Sequence, residues 1–226
     1  MRMNIRNIIF DLGGVLLNID YDASIQAFKR LGIKDFDNFF TQAAQNQLFD
    51  RLDRGEVSPA GFRDALRSMS GLGLSDAEID AAWNAMLFDL PPARVQLLEG
   101  VKQHYNTYLL SNTNAIHYPA YMHYMRQAYG VESLEDLFSK QYLSHEIGLR
   151  KPDPEPFELI LRENQLKADE TLFIDDTLGH VKGAAQTGIK AFFLDVKSTD
   201  ILDLFDEKFK LKPEVLEKVY SQAAGA

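Results

Sequence analysis

The chain has 226 residues, a formal net charge of −9 and 46% hydrophobic residues, enough apolar mass for one large domain or for a domain carrying an insertion. No cluster of Lys or Arg is long enough to follow a phosphate backbone or an anionic bilayer, so neither a nucleic acid nor a membrane is expected as a partner. The absence of Cys removes disulfides, thiolate nucleophiles and Cys-ligated zinc, and no apolar run has the length of a signal-peptide core or a membrane span. A soluble cytoplasmic protein is expected, as a monomer or weak homodimer.

Taken in chain order, "NIIF" at 7–10 is a short apolar run suited to a buried parallel strand, and it ends on Asp11 followed by Leu12, Gly13 and Gly14. Residues 18 to about 90 then carry only helical patterns and predict four successive helices. Ser58-Pro59 reads as an N-cap with proline in the first turn, and Ser75-x-x-Glu78 as a capping box. Their aromatic residues, including Phe39, Phe40, Phe49 and Trp83, lie at helical spacing and read as core rather than as ligand contacts. Pro91-Pro92 marks the return to alternation, with a helix over 93–105 and further apolar runs at 107–111, 141–144, 171–174 and 191–194. Gly188 reads as a helix stop and residues 213–226 as one surface helix.

Strands alternating with helices predict an α/β fold, a doubly wound parallel sheet of Rossmann type with an inserted four-helix cap. The expected division is a core of residues 1–17 plus 91–226 and a cap of residues 18–90. Such sheets bind ligands beyond the carboxyl ends of their strands, and four polar groups fall there: Asp11, Ser111-Asn112, Lys151 and Asp175-Asp176. Singly, each reads as well as a turn residue or helix cap. The acidic pair is the least ordinary, because adjacent carboxylates repel unless a cation neutralises them.

Together the segments "IIFDLGGVLL", "LLSNTN", "GLRKPDPEPF" and "TLFIDDTLGHVKGAAQTGI" resemble the four motifs of the haloacid dehalogenase-like (HAD) hydrolase superfamily, in order and over nearly the whole chain. The resemblance implies a phosphatase with Mg2+ as cofactor and a small phosphorylated metabolite as substrate. Asp11 is then the nucleophile that forms an aspartyl-phosphate. Ser111, Asn112 and Lys151 bind the phosphoryl group. Asp11, the Gly13 carbonyl and Asp176 hold the metal, and Asp175 orients Lys151 or a metal-bound water, although the order of the two acids stays open.

Most phosphatases of the superfamily carry an acid where this chain has Gly13, and glycine keeps the carbonyl while losing general acid–base catalysis. A first motif of the form DLGxV is similar to that of a branch containing hexose-1-phosphate phosphatases, whose leaving group needs protonation less. Alternatively Asp20 or Asp22 at the cap hinge, or His180 one turn beyond Asp176, supplies the proton, although Asp20 and Asp22 read better as helix caps and His180 as a surface residue. The rival functions are a 2-haloacid dehalogenase, against which Gly13 and the acidic pair both count, and a phosphate-binding module weakened by Gly13.

Overall fold

The computed structural model describes residues 4–33 and 47–220. Five strands form one parallel sheet in the order β3-β2-β1-β4-β5: β1 (Asn7–Phe10), β2 (Asn106–Ser111), β3 (Lys140–Leu143), β4 (Thr171–Asp175) and β5 (Lys190–Phe193). Each lies within one residue of its apolar run. Successive residues of β1 serve opposite faces: Ile8 and Phe10 pack with Leu109, Leu172 and Ile174, while Ile9 packs with Leu110, Phe157 and Phe173. Both faces are buried, which is why the runs are continuously apolar rather than alternating.

The winding reverses between β1 and β4, since β2 and β3 extend the sheet one way and β4 and β5 the other. Asp11 N donates to Ile174 O at 3.0 Å, so pairing with β4 persists one residue past β1 and fixes the first acid beside the end of β4. The two acidic motifs therefore face each other across the switch point, the crevice where such sheets bind ligands.

Between β1 and β2 come α1 (Tyr21–Arg30), α2 (Leu48–Asp53), α3 (Pro59–Ser70), α4 (Asp76–Asn84) and then α5 (Pro92–Val101). Ser58 Oγ accepts from Gly61 N at 3.1 Å with Pro59 opening α3, and Ser75 and Glu78 exchange both bonds of a capping box at α4. Phe28, Leu48, Leu52, Phe62, Leu66 and Ile79 pool into a cluster of their own, to which Ile116 is the buried contribution from beyond β2. Complete burial of Phe62 is worth about 1.5–3 kcal/mol to that cluster.

The remaining helices are α6 (His117–Tyr129), the single turn α7 (Ser144–Ile147), α8 (Glu155–Glu163), α9 (Leu178–Gln186) and α10 (Pro213–Leu216). Gly188, at φ +86°, turns the chain out of α9 as its position suggested. Two expectations change: the helix over 93–105 ends at Val101, and of the helix expected over 213–226 the described residues form one turn, after which Tyr220 pairs antiparallel with Ala191 of β5, while 221–226 lie outside the described residues. Backbone bonds to the exposed edge of β5 satisfy donors and acceptors that a surface helix would leave to water. No helix among the described residues is long and apolar enough to cross a membrane.

Candidate active site

Asp11, Ser111, Lys151 and Asp175 are all buried at the carboxyl edge of the sheet. The Lys151 ammonium stands 2.7 Å from Asp11 Oδ1 and 2.8 Å from Asp175 Oδ2, with no exposure of its own side chain. It also lies 5.4 Å from the centroid of the Phe173 ring, so its charge meets carboxylates on one side and an aromatic face on another. Asn112 fixes the lysine's backbone from both directions: its Nδ2 donates to Lys151 O at 2.9 Å, and Lys151 N donates to its Oδ1 at 3.0 Å. A side chain at residue 183 would collide with the carbonyl of Pro152, so Gly183 of α9 lets the helix press against the loop that carries the lysine.

Burial pushes the Asp11 carboxyl up to about 7, with Lys151 opposing and the charges of Asp175 and Asp176 adding to the rise. For Asp175 burial works the same way, but Lys151 and His180 outweigh it and hold the group down at about 2. Asp176 is raised by burial and by its neighbour Asp175. Carboxylate oxygens of Asp11, Asp175 and Asp176 lie within 4.8 Å of one another, and one lysine cannot neutralise three acids. Residue 14 completes the cradle: a Cβ there would collide with Asp176 Oδ2, so only glycine lets the acid take this position. A hard divalent cation that binds oxygen donors suits the set on charge and on donor type.

Above this floor opens a cavity of about 520 Å³, lined by Asp11, Gly13, Ser111, Asn112, Lys151 and Asp176 below and by side chains of α1 to α4 above. Phe49 and Trp83 belong to those walls, so they serve core and cavity at once, a correction to their reading as core alone; Phe39 and Phe40 lie outside the described residues. Trp83 is stacked between Phe49 and His117, at centroid distances of 5.1 and 5.0 Å. The His117 ring, which burial pushes down to about 3, is neutral and donates through Nδ1 to Asn84 Oδ1 at 2.7 Å.

The helical segment is tied to the floor at one corner. Asp53, at the end of α2, accepts from Asn114 Nδ2 at 3.1 Å and from Arg150 Nε at 3.4 Å, and Arg150 also reaches Asp50 at 3.3 Å. Arg54 pairs with Asp153 at 2.6 Å. Sequence reading missed this corner; His180, read as a surface residue with a place at the site as the alternative, lines the cavity with its Nδ1 3.1 Å from both oxygens of Asp175. Of the hinge acids, Asp20 accepts from Asp22 N at 2.9 Å as the cap of α1, and neither it nor Asp22 lines the cavity.

The haloacid dehalogenase-like hydrolase model matches residues 5–188. Among relatives, a D-ribitol-5-phosphate phosphatase of Bacteroides thetaiotaomicron is 33% identical over 191 residues, covering 83% of this chain and 91% of its own. A sesquiterpene phosphatase of Aspergillus oryzae is 30% identical, with 82% and 88% covered. A HAD family enzyme of Bacteroides thetaiotaomicron, solved in complex with magnesium and inorganic phosphate, superposes with a TM-score of 0.76 at 38% identity, covering 84% of this chain and 94% of that one. With that match spanning both acidic motifs and the lysine between them, the chain belongs to the haloacid dehalogenase-like hydrolase family.

Proposed function

We propose that the protein is a magnesium-dependent phosphatase that hydrolyses a small phosphorylated metabolite through an aspartyl-phosphate on Asp11. The observation that carries this reading is the buried ammonium of Lys151 held between Asp11 and Asp175, with Asp176 alongside, at the floor of a cavity far larger than a phosphate. Asp11 is the nucleophile: its carboxylate needs no base to activate it once the phosphoryl charge is neutralised. Ser111 and the Asn112 backbone N–H bind phosphoryl oxygens, and Lys151 adds a fixed positive charge while Asp175 holds it in place. Magnesium, held by Asp11, Asp176 and the Gly13 carbonyl, supplies the charge neutralisation.

Residues 18–90 act as a cap that covers this core of 1–17 and 91–226, bounding the leaving-group side and excluding water from the intermediate. The substrate class best supported is a sugar or sugar-alcohol phosphate: the relative that hydrolyses D-ribitol 5-phosphate favours it, and a hexose 1-phosphate is the narrower form suggested by the first motif. Three clustered acids and Gly13 disfavour the dehalogenase alternative, and the intact set of floor residues disfavours a binding module that has lost turnover.

The test is hydrolysis of 4-nitrophenyl phosphate and of a panel of phosphorylated metabolites, with magnesium and with chelator. Magnesium-dependent turnover is expected, sugar and sugar-alcohol phosphates leading the panel. Asp11→Asn is expected to lower kcat by on the order of 10³-fold or more. Activity confined to 2-haloacids and indifferent to chelator would refute the reading.

A further inference from the structure

The position of the acid lost at residue 13 is bordered by hydrocarbon. A Cβ on Gly13 would stand 3.3 Å from Ile19 Cδ1 and 3.7 Å from Ile19 Cγ2, so a side chain there would need Ile19 to give by a few tenths of an ångström. Other carboxylates on the cavity wall are committed. Asp53 accepts from Asn114 and Arg150, which oppose the rise that burial gives its pKa, and Asp50 shares the same arginine. His180 also lines the cavity and is held by Asp175 through Nδ1, which leaves its Nε2 as a rival donor.

Tyr21 comes from the helical segment instead. It is the first residue of α1, and the hinge beneath it is fixed: Asp20 N donates to Met86 O at 2.9 Å, Asp20 caps the helix, and Ile19 bridges to Leu87. Its side chain lines the cavity together with Asp11, Gly13 and Asp176 and is 65% exposed, and its hydroxyl has no hydrogen-bond partner among the described residues. The surrounding protein first, then the charges of Asp11, Asp176 and Asp53, raise its pKa, so the hydroxyl is protonated at neutral pH.

We propose that the Tyr21 hydroxyl serves the leaving group in place of the acid that Gly13 cannot supply; this rests on the phosphatase reading above. As an Asp11 oxygen bonds to phosphorus and the bond from phosphorus to the ester oxygen breaks, the departing alkoxide takes the Tyr21 proton and leaves as the alcohol. An alkoxide is a far stronger base than a phenolate, so the transfer runs downhill. In the second half the phenolate takes a proton from water, whose oxygen attacks phosphorus and releases Asp11 and inorganic phosphate, restoring Tyr21. Ordinary alcohol esters, such as a sugar-alcohol phosphate, thereby become substrates, and not only esters of stabilised leaving groups.

The experiment compares Tyr21→Phe with wild type on benzyl phosphate, an alkoxide leaving group, and on 4-nitrophenyl phosphate, a ring of similar size whose anion is stable. For the variant, kcat/KM on benzyl phosphate is expected to fall on the order of 10²-fold while the 4-nitrophenyl ester changes by less than about threefold. Across phenyl esters of graded acidity, the dependence of rate on leaving-group pKa should steepen, which a purely structural role would not cause. Equal losses on both esters, no loss on benzyl phosphate, or a wild type that turns over only the 4-nitrophenyl ester would overturn the role of Tyr21 and leave the phosphatase reading standing. A wild type inert toward every ester with magnesium would overturn that reading, and the tyrosine's role with it.

Discussion

At the sheet edge Lys151 is fully enclosed between two buried carboxylates, whereas on the helical segment Arg63 and Arg67 share Asp64, Asp76 and Asp80 within reach of solvent. The Coulomb law is the same in both places, but the dielectric surroundings are not. Water around the arginine cluster screens each attraction and offers every charge an alternative partner. Around Lys151 no such alternative exists, so the three groups depend on one another and the site remains acid-rich even with the lysine in place. The buried cluster is thus a poor device for stability and a good one for drawing a cation and a phosphoryl group to one point.

The sharpest way to break this contrast is Lys151→Met, which keeps much of the side-chain volume and removes the charge. Asp11 and Asp175 are then left facing each other with only the His180 ring beside Asp175, and unfolding free energy is expected to drop by about 3–5 kcal/mol at neutral pH. Urea midpoints measure this directly. The deficit should shrink on acidification, because protonating the stranded carboxylates removes the repulsion, and Lys151→Met/Asp175→Asn should recover part of it. A midpoint equal to wild type would mean that the lysine is solvated in a way its burial denies.

His117 lies on the seam between the two regions, stacked on Trp83 of α4 while it opens α6. Burial holds its pKa near 3 against 6.5 in the unfolded chain, so between those values the unfolded state binds a proton that the folded state refuses. Stability from this group is complete above pH 6.5 and is lost as pH falls toward 3, at up to about 1.4 kcal/mol per pH unit. His117→Gln is expected to be less stable than wild type at pH 7 through lost stacking, with the gap closing by pH 4.5. A gap independent of pH would show that the ring takes up its proton in the fold as readily as in the unfolded chain.

The strands and the floor of the site were legible because both are local signals: an apolar run fixes a buried strand, and the polar residue that ends it falls at the carboxyl edge by topology alone. Asp11, Ser111, Lys151 and the acidic pair needed nothing further to be brought together. Tyr21 and the corner of Asp53, Asn114 and Arg150 were not legible, since each acquires its meaning from an approach between distant segments that no spacing records, while His180 was legible only as an alternative one turn beyond Asp176. Phe49 and Trp83 were half legible, as helical spacing marks a buried face without saying whether a cavity opens in it. Gly183 offered an unused signal: a glycine inside a helical pattern often marks a close packing contact, here against the loop carrying Lys151.

The smallest effect is expected at Arg63, although it makes more bonds to carboxylates than Lys151 does. Arg63 reaches Asp80 through two parallel bonds of 2.8 and 2.7 Å and Asp76 at 3.3 Å, three bonds to two acids where the Lys151 ammonium makes one to each of its two. Each acid, however, keeps access to water, with 29% of the Asp80 and 59% of the Asp76 side chain exposed, so removing the guanidinium strands no charge in a dry place. Arg63→Ala is therefore expected to cost only about 0.5–1 kcal/mol in a urea titration, with most of that cost gone in high salt, and to leave turnover unchanged. A loss as large as that of Lys151→Met would mean that bond count, and not burial, sets the strength of an ion pair in this protein, and the distinction between its two charged regions would fail.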